Sequence, residues 1–276
     1  MNRSELDNRM KEYYENRSKT YLSRRTPVII RLDGKAFHTF TRGLRKPYDE
    51  VFHKTMNRTM QYLCQNIQGC KFGYTQSDEI TLLLTDYDTL TTAAWFDYSV
   101  QKLCSVSASM ATMAFNKFFA EEYEVISICS NNNSDDKRYV ETLYKKLYTA
   151  MFDSRCFNIP KEEVVNCFIW RQEDAIRNAI QMLGQTHFSN KELHGKSRED
   201  IRSMLIELKN IYFDHMPLEF QRGVCCYKTL QKHMRVNMET DERTTYIRSV
   251  WQIDTNIPVF HFERDYIERF VTGYEH

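Results

Sequence analysis

The order of apolar and polar positions predicts a short set of strands near the start of the chain. An apolar, β-branched run at 28–32 stops at Asp33-Gly34, which is typical of a buried strand that ends in a turn. Two more apolar runs flank the polar residues 76–79, and this pattern predicts a hairpin whose tip carries the carboxylates of Asp78 and Glu79.

Polar breaks and helical periodicity predict the remaining elements. The break at Pro47 followed by Tyr48-Asp49 is typical of the start of a helix, and the small side chains at 105–112 favour close helix packing on a sheet. The predicted elements are helical character at 4–22, helices at 49–64, 90–119, 162–183 and 197–209, an exposed loop at 130–137, a strand at 155–159 that ends at Pro160, and short strands at 222–262.

The two acidic turns are expected to meet in space. If the helix at 49–64 connects the first two strands, these strands are parallel and the third lies between them, antiparallel to both. Asp33 and Asp78 then fall on one edge of the sheet. Two adjacent carboxylates repel each other unless a cation lies between them, and hard oxygen ligands select Mg²⁺. The pattern therefore predicts a metal site that handles nucleotides.

Each acidic motif also has a structural explanation when it is taken alone. Asp-Gly after a strand is a common turn, and Ser-Asp-Glu is common at a hairpin tip or a helix cap. The metal site is favoured because both motifs are expected at the same edge.

Composition is that of an ordinary globular protein. The chain has 276 residues and a mass of 33.1 kDa, with 42% hydrophobic and 27% charged residues, which is enough for one substantial core with an appended part. No apolar run has the length of a membrane span and the polar N-terminus lacks signal-peptide character, so a cytoplasmic location without membrane contact is expected.

Charge and cysteine usage restrict the class of partner. A net charge of +1 argues against a globally basic nucleic-acid binder. Local basic clusters remain, and an oligomer can assemble a larger basic surface from them. The eight cysteines show no Cys-x-x-Cys or zinc-like spacing, so reduced, buried thiols are expected. The basic clusters are Arg17, Lys19, Arg24 and Arg25, and Arg42, Arg45 and Lys46.

Five ordered motifs resemble the tRNA-His guanylyltransferase superfamily, over about residues 7–196. They are Arg31-Leu32-Asp33-Gly34-Lys35-Ala36-Phe37-His38, Lys46-Pro47-Tyr48-Asp49, Tyr74-Thr75-Gln76-Ser77-Asp78-Glu79, Phe152-Asp153-Ser154-Arg155 and Trp170-Arg171-Gln172-Glu173-Asp174. The resemblance implies an α+β, polymerase-palm-like (ferredoxin-like β-α-β-β-α-β) core at about 26–160. A helical and short-strand extension at about 161–276 completes a single catalytic chain, 1–276.

The resemblance also implies roles for individual residues. Asp33 and Asp78 would be catalytic and would bind two Mg²⁺ ions with the backbone carbonyl of Gly34, and Glu79 would be a third ligand or a supporting acid. The resemblance implies that tRNA is the substrate and that ATP, GTP and other nucleoside triphosphates bind beside these ions. It also implies a homo-oligomer, namely a tetramer. The nucleotide-binding residues carried over by the motifs are Gly34, Lys35, Ala36, Phe37, His38, Lys46, Asp49, Ser77 and Lys102.

One departure from the family pattern decides the expected activity. Members that add a single guanosine to tRNA-His have His-Ile-Asn after the Trp-Arg-Gln-x-Asp motif, whereas this chain has Ile176-Arg177-Asn178. This difference resembles the branch that repairs 5′-truncated tRNA by templated addition of nucleotides in the 3′-to-5′ direction, after ATP activates a 5′-monophosphate. The alternatives are a tRNA-His-specific guanylyltransferase, a primer-independent nucleotide cyclase with the same core, and a non-catalytic RNA-binding module.

Overall fold

The computed structural model describes residues 3–129, 134–236 and 243–272. The strands are β1 (Val28–Gly34), β2 (Cys70–Gln76), β3 (Glu79–Leu84), β4 (Phe152–Asn158), β5 (Val224–Val236) and β6 (Arg243–Asp254). The helices are α1 (Arg3–Tyr13), α2 (Phe37–Phe40), α3 (Glu50–Asn66), α4 (Val100–Cys129), α5 (Ser134–Tyr144), α6 (Lys161–His187), α7 (Asn190–Leu193), α8 (Arg198–Lys209), α9 (Leu218–Arg222) and α10 (Asp265–Glu268).

The six strands form one sheet in the order β4-β1-β3-β2-β5-β6. Neighbouring strands are antiparallel throughout. Since β3 pairs with both β1 and β2, the last two are parallel to each other, as the sequence predicts. The chain is therefore a mixed α and β protein with an antiparallel sheet. The division at about residue 160 into a core and an extension stays a prediction.

Side chains alternate along β1 between the two faces of the sheet, as the pleat of a strand requires. Val28, Ile30 and Leu32 lie in a core that α3 and α4 cover. Ile29 points to the other face, where it packs in a second core under the first half of α6. The second half of α6 continues past the sheet and packs on α8 and α9 in a third cluster. Helices thus cover both faces near the edge where β1 ends.

The helix α3 begins where Pro47 and Asp49 predict. The Asp49 carboxylate accepts a hydrogen bond from the Phe52 amide, which satisfies one of the free donors of the first turn. The buried residues of α3 recur with helical spacing and face the sheet. They include Phe52, Met56 and Met60.

Four of the predicted elements are wrong in their bounds. The helical character predicted at 4–22 ends at Tyr13 in α1, followed by a 3₁₀ turn at Glu15–Ser18. The helix predicted at 90–119 begins at Val100 instead, because a 3₁₀ turn at Trp95–Tyr98 has left-handed φ values at Phe96 and Asp97. Part of the loop predicted at 130–137 belongs to α5, and residues 130–133 lie outside the described ranges. The short strands predicted at 222–262 are the two long strands β5 and β6.

The structure also bears on membrane spans and on the state of the cysteines. None of the described helices is long and apolar enough to cross a membrane. All eight cysteines are free and five are buried, whereas Cys104 and Cys156 are half-buried and Cys129 is exposed.

Candidate active site

The end of β1 and the turn between β2 and β3 are joined at one edge of the sheet. Asp33 lies directly opposite Glu79 in the β1–β3 register, and the Gly34 amide donates to the Asp78 carbonyl oxygen at 3.1 Å. Ser77 has a φ of +54° at the tip of the turn, and its hydroxyl donates to Asp78 Oδ1 at 3.1 Å. The predicted meeting of Asp33 and Asp78 at this edge is therefore seen in the structure.

Neither of these two carboxylates has a direct ion-pair partner among the described residues, although the pKa of Arg155, which its hydrogen bond to Asp153 raises most, is also raised by the charge of Asp33. Burial, and then the charge of Asp33, raise the pKa of Asp78 to about 6. No lysine or arginine nitrogen of the described chain lies within 4.0 Å of either carboxylate. A pair of this kind is electrostatically unfavourable unless a cation or a proton joins it.

The donor set fits Mg²⁺ that is completed by a substrate. Within residues 3–129, 134–236 and 243–272, no group of three or more His, Cys, Asp or Glu side chains forms a metal cage. Mg²⁺ in nucleotide enzymes is usually bound through one or two carboxylates together with phosphates of the substrate, instead of an all-protein cage. Asp33 and Asp78, with a backbone carbonyl such as that of Gly34, are such a set.

A cavity of about 520 Å³ opens beside the two carboxylates. Its walls come from α2 and the following loop, the start of α3, the turn between β2 and β3, and the second half of α6. Nine of the twelve residues that the motifs predict line it. They are Asp33, Gly34, Ala36, Phe37, His38, Lys46, Asp49, Ser77 and Asp78.

Gly34 allows one wall of the cavity to form. A Cβ atom at this position would lie 2.3 Å from the Phe37 ring, so any other residue would displace that ring. Phe37 packs on Phe40 and Phe152 with ring centroids 4.9 and 5.1 Å apart. The glycine thus lets α2 fold back onto the end of β1.

Asp49 shapes the loop that carries Lys46. Its carboxylate is buried and accepts hydrogen bonds from the Phe52 amide at 3.0 Å, the Arg45 amide at 2.9 Å and the Tyr139 hydroxyl at 2.8 Å. These contacts fix the loop before α3 against α5. The position of Lys46 in the cavity wall therefore depends on Asp49.

Three predicted residues lie outside the lining of the cavity. Lys35 is exposed, and its amide donates to the Met151 carbonyl. Lys102 is exposed on α4, with its ammonium 5.4 Å from the centroid of the Phe96 ring. Glu79 points to a different group of residues. The roles predicted for these three stay predictions.

Glu79 is held by arginines. Arg171 of α6 donates to both of its carboxylate oxygens, at 2.6 and 2.9 Å, and Arg31 lies 3.8 Å away. Arg171 also donates to Asp174 at 3.0 Å. This bidentate pair ties α6 to the start of β3. On β4, which pairs with β1, Asp153 and Arg155 form an ion pair at 3.0 Å.

Sequence reasoning missed part of the cavity wall. Met182 lines it from α6 and Phe220 from α9, and neither residue belongs to a motif. Asn178, the last residue of the tripeptide that follows the fifth motif, lines it as well, although no role was predicted for it. The four-residue spacing of Asn178 and Met182 places them on one helix face, which is a clue only once α6 is known to reach the site.

His53 is another missed wall residue. Its ring stacks on Tyr48 with centroids 4.0 Å apart, and burial lowers its pKa to about 4. The imidazole in this wall is therefore neutral near pH 7.

The tripeptide that departs from the family pattern is divided between two surfaces. Asn178 lines the cavity. Ile176 packs against the third hydrophobic cluster and lines a separate groove with Ile180 and Arg202, while Arg177 is exposed and forms an ion pair with Asp174.

Comparisons with known proteins show the family of this chain. Residues 7–160 match the family model Thg1, tRNAHis guanylyltransferase. A bacterial tRNA(His) guanylyltransferase (Thg1)-like protein solved in complex with ATP is 38% identical, with a TM-score of 0.78 over 96% of this chain and 98% of that chain.

Two further relatives are similar over most of their length. The GTP complex of a bacterial Thg1-like protein is 36% identical, with a TM-score of 0.73 over 97% of this chain and 99% of that one. A probable tRNA(His) guanylyltransferase of Dictyostelium discoideum is 24% identical over 73% of this chain and 75% of its own length. This chain belongs to the tRNAHis guanylyltransferase (Thg1) family and is a nucleotidyltransferase.

Proposed function

We propose that this enzyme adds nucleotides to the 5′ ends of tRNA in the 3′-to-5′ direction, with Mg²⁺, and repairs 5′-truncated tRNA by templated addition. In this proposal the β1–β4 part of the sheet acts as a polymerase-like palm. The observation that carries it is the pair Asp33 and Asp78, without a direct ion-pair partner among the described residues, at the mouth of a cavity large enough for a nucleotide.

The cavity wall has the groups that a triphosphate needs. Lys46 and Arg45 bring positive charge, while Ser77 and His38 bring hydrogen-bonding side chains beside the carboxylates. Similar proteins have been solved with ATP and with GTP. These features support binding of more than one nucleoside triphosphate at this site.

The chemistry proceeds by displacement at phosphorus. A 5′-monophosphate has no good leaving group, so its phosphate oxygen attacks ATP, pyrophosphate leaves, and the RNA acquires an adenylylated 5′ end. The 3′-hydroxyl of the incoming nucleotide then attacks the 5′ phosphate, and AMP leaves. Mg²⁺ bound by Asp33 and Asp78 would activate the hydroxyl and neutralise the leaving group.

Within this mechanism, ion pairs and hydrogen bonds of the protein hold the charged side chains of the site in position. Asp49 holds the loop of Lys46, and Arg171 holds Glu79 beside the acidic turn. Both contacts preorganise the donors around the reacting phosphates, which is the main source of rate in phosphoryl transfer.

The identity of the added nucleotide distinguishes repair from a tRNA-His-specific reaction. Ile176 replaces the histidine of the specific members and packs in an apolar cluster, so this position offers no imidazole to select one nucleotide. Watson–Crick pairing with the opposite strand of the acceptor stem would then choose the base. A specific guanylyltransferase is the second candidate, because a relative carries that name.

The test uses tRNA that lacks its first nucleotide. Each nucleoside triphosphate is supplied separately, and the base opposite the missing position is changed in turn. The proposal expects the added nucleotide to follow the template base. Addition of guanosine whatever the template, or reaction of tRNA-His alone, would support the second candidate. Turnover of nucleoside triphosphates without RNA would indicate a cyclase.

A further inference from the structure

The helix α5 packs on the outer side of the loop that forms one wall of the cavity. This loop, residues 41–49, is here called the α2–α3 loop, and six of its nine residues line the cavity. Gly43 has a φ of +85°, and a Cβ atom at this position would lie 3.2 Å from Thr142 of α5. The described residues of α5 are absent from the cavity lining. The helix can therefore act on the cavity only through the loop.

Tyr139 is the residue of α5 that reaches the loop most directly. Its side chain is 7% exposed, and its hydroxyl donates to Asp49 Oδ2 at 2.8 Å. Burial, and then the charge of Asp49, raise the pKa of Tyr139. The phenol consequently stays protonated near pH 7 and remains a donor to the carboxylate.

The Asp49 carboxylate depends on this donor. Asp49 is 4% exposed, and a buried carboxylate is stable only when donors surround it. Oδ1 accepts from the Phe52 amide, whereas Oδ2 accepts from both the Arg45 amide and the Tyr139 hydroxyl. The tyrosine thus shares one oxygen with the backbone that leads directly into Lys46. Loss of the hydroxyl would leave this part of the loop less firmly held.

The ring of Tyr139 has a second contact, with the side chain of Arg45. The guanidinium carbon lies 4.1 Å from the ring centroid, and Nη2 donates to Asp136 Oδ1 at 3.3 Å. Stacking covers a face of the planar guanidinium and leaves its N–H edge available. Phosphates bind to that edge. Since Arg45 lines the cavity, the ring orients a cation that is suited to a phosphate.

We propose that Tyr139 is a positioning residue for the nucleoside triphosphate: its hydroxyl fixes the α2–α3 loop through Asp49, and its ring orients Arg45 towards the phosphates. This role rests on the proposed function, which places a triphosphate in the cavity. Tyr139 touches no reacting atom. It therefore acts on the affinity for the nucleotide, and the rate of the chemical step at saturating nucleotide does not depend on it.

The test separates the hydroxyl from the ring. Tyr139→Phe removes the hydroxyl alone, whereas Tyr139→Leu removes both contacts. The matched control is Tyr266→Phe, because the Tyr266 hydroxyl donates to the Asp254 carboxylate at 2.7 Å and its ring packs on the second core. The Kd for ATP is measured by calorimetry with Mg²⁺ and without RNA. The KM for ATP and the kcat are measured in the activation of a 5′-monophosphorylated tRNA, below the melting temperature of every variant.

Tyr139→Phe should raise the Kd and the KM for ATP about fivefold, because a buried carboxylate loses a hydrogen bond. Tyr139→Leu should raise both about twentyfold, because Arg45 also loses its stacking partner. The kcat of Tyr139→Phe should stay within about twofold of the wild type. The control should bind ATP within about twofold of the wild type, since its bond lies outside the cavity wall. An unchanged Kd in Tyr139→Phe, or an equal loss in the control, would overturn the proposal.

An Arg45→Gln background tests the role of the ring. On the wild-type background, Tyr139→Leu should bind ATP about fourfold more weakly than Tyr139→Phe. Without the guanidinium this difference should fall below about twofold, because the ring has no cation left to orient. An undiminished difference would show that the ring supports the loop by packing alone, and the role assigned to the ring would be wrong.

The outcome for the proposed function is separate, because ATP binding is measured without RNA. If the wild type binds ATP but leaves truncated tRNA unextended, the proposed function fails, and the effect of Tyr139→Phe on the Kd still decides the role of Tyr139. If the wild type extends tRNA and Tyr139→Phe binds ATP as tightly as the wild type does, only the role of Tyr139 fails.

Discussion

Asp78 and Glu79 are neighbours on one turn, yet their carboxylates have opposite surroundings. Glu79 is neutralised by two hydrogen bonds from Arg171, at 2.6 and 2.9 Å. Asp78 meets the carboxylate of Asp33 instead, and burial together with this charge raises its pKa to about 6. Because an arginine binds Glu79 and none binds Asp78, the site leaves a place for an external cation at Asp78. From this difference we expect Glu79 to act through the structure of the turn and Asp78 to take part in the reaction.

The largest effect is expected at the pair Asp33 and Asp78. Asp33→Asn or Asp78→Asn should reduce nucleotide addition at least about a hundredfold, since the site loses a charged metal ligand. Thermal melting without metal should show equal or higher stability for Asp78→Asn, because a buried carboxylate that repels its neighbour is removed. A near-normal rate at saturating Mg²⁺ would contradict the assignment.

In contrast to Asp78→Asn, Glu79→Gln should lower the stability of the fold clearly and the rate of nucleotide addition less. It leaves Arg171, which is only 13% exposed, with Asp174 as its one remaining carboxylate partner among the described residues, and should cost up to about 2 kcal/mol of unfolding free energy. The rate of addition should fall about tenfold, less than at Asp78, because Glu79 acts through the position of the turn. A double-mutant cycle with Arg171→Gln measures the coupling. Additive effects of the two substitutions would show that the pair does not act as a unit.

Lys46→Ala and Lys102→Ala compare a lysine inside the cavity with one outside it. Lys46→Ala should raise the KM for ATP in the activation of a 5′-monophosphate about tenfold, with a smaller effect on tRNA binding. Lys102→Ala should change that KM less than about twofold, since its ammonium is exposed beside Phe96. Equal losses would favour the family-based role of Lys102.

The smallest effect concerns the neutral wall of the site. Burial lowers the pKa of His53 to about 4, below the value near 6.5 of an unfolded chain. The unfolded state therefore binds the proton first, and stability is lost as the pH falls from about 6.5 towards 4. Between pH 7 and 5 the wild type should lose about 1–2 kcal/mol through this residue. Chemical denaturation of the wild type and of His53→Gln at pH 7 and at pH 5 measures this loss. If both proteins lose the same unfolding free energy between these pH values, the prediction is wrong.

The sequence located the acidic edge because its signals are local. The apolar run before Asp33 and the two runs around Ser77 and Asp78 predict their strands on hydrophobicity alone, and pairing rules then bring the turns together. Packing between segments that are far apart in the sequence leaves no such local signal in the sequence. Asn178 and Phe220 reach the cavity because the second half of α6 packs on α9 beyond the sheet.

The errors in the element bounds also have physical causes. Residues 95–98 are mostly aromatic and compatible with a helix, but left-handed backbone angles at Phe96 and Asp97 interrupt the chain before α4. Most side chains from Lys228 to Lys232 in β5 and from Arg243 to Ser249 in β6 are exposed on both faces, so these parts lack the alternation of a strand with one buried face. The two long strands therefore resembled a set of short strands.

The place of β1 in the sheet has a consequence for the time scale on which the site can adapt. β1 is paired on both sides, with β3 from Val28 to Asp33 and with β4 from Val28 to Gly34. Opening such a strand requires most of the sheet to unfold, whereas a turn can fluctuate alone. We therefore expect Asp33 to keep its position, so that any change in the spacing of the two carboxylates comes from the turn at Ser77 and Asp78.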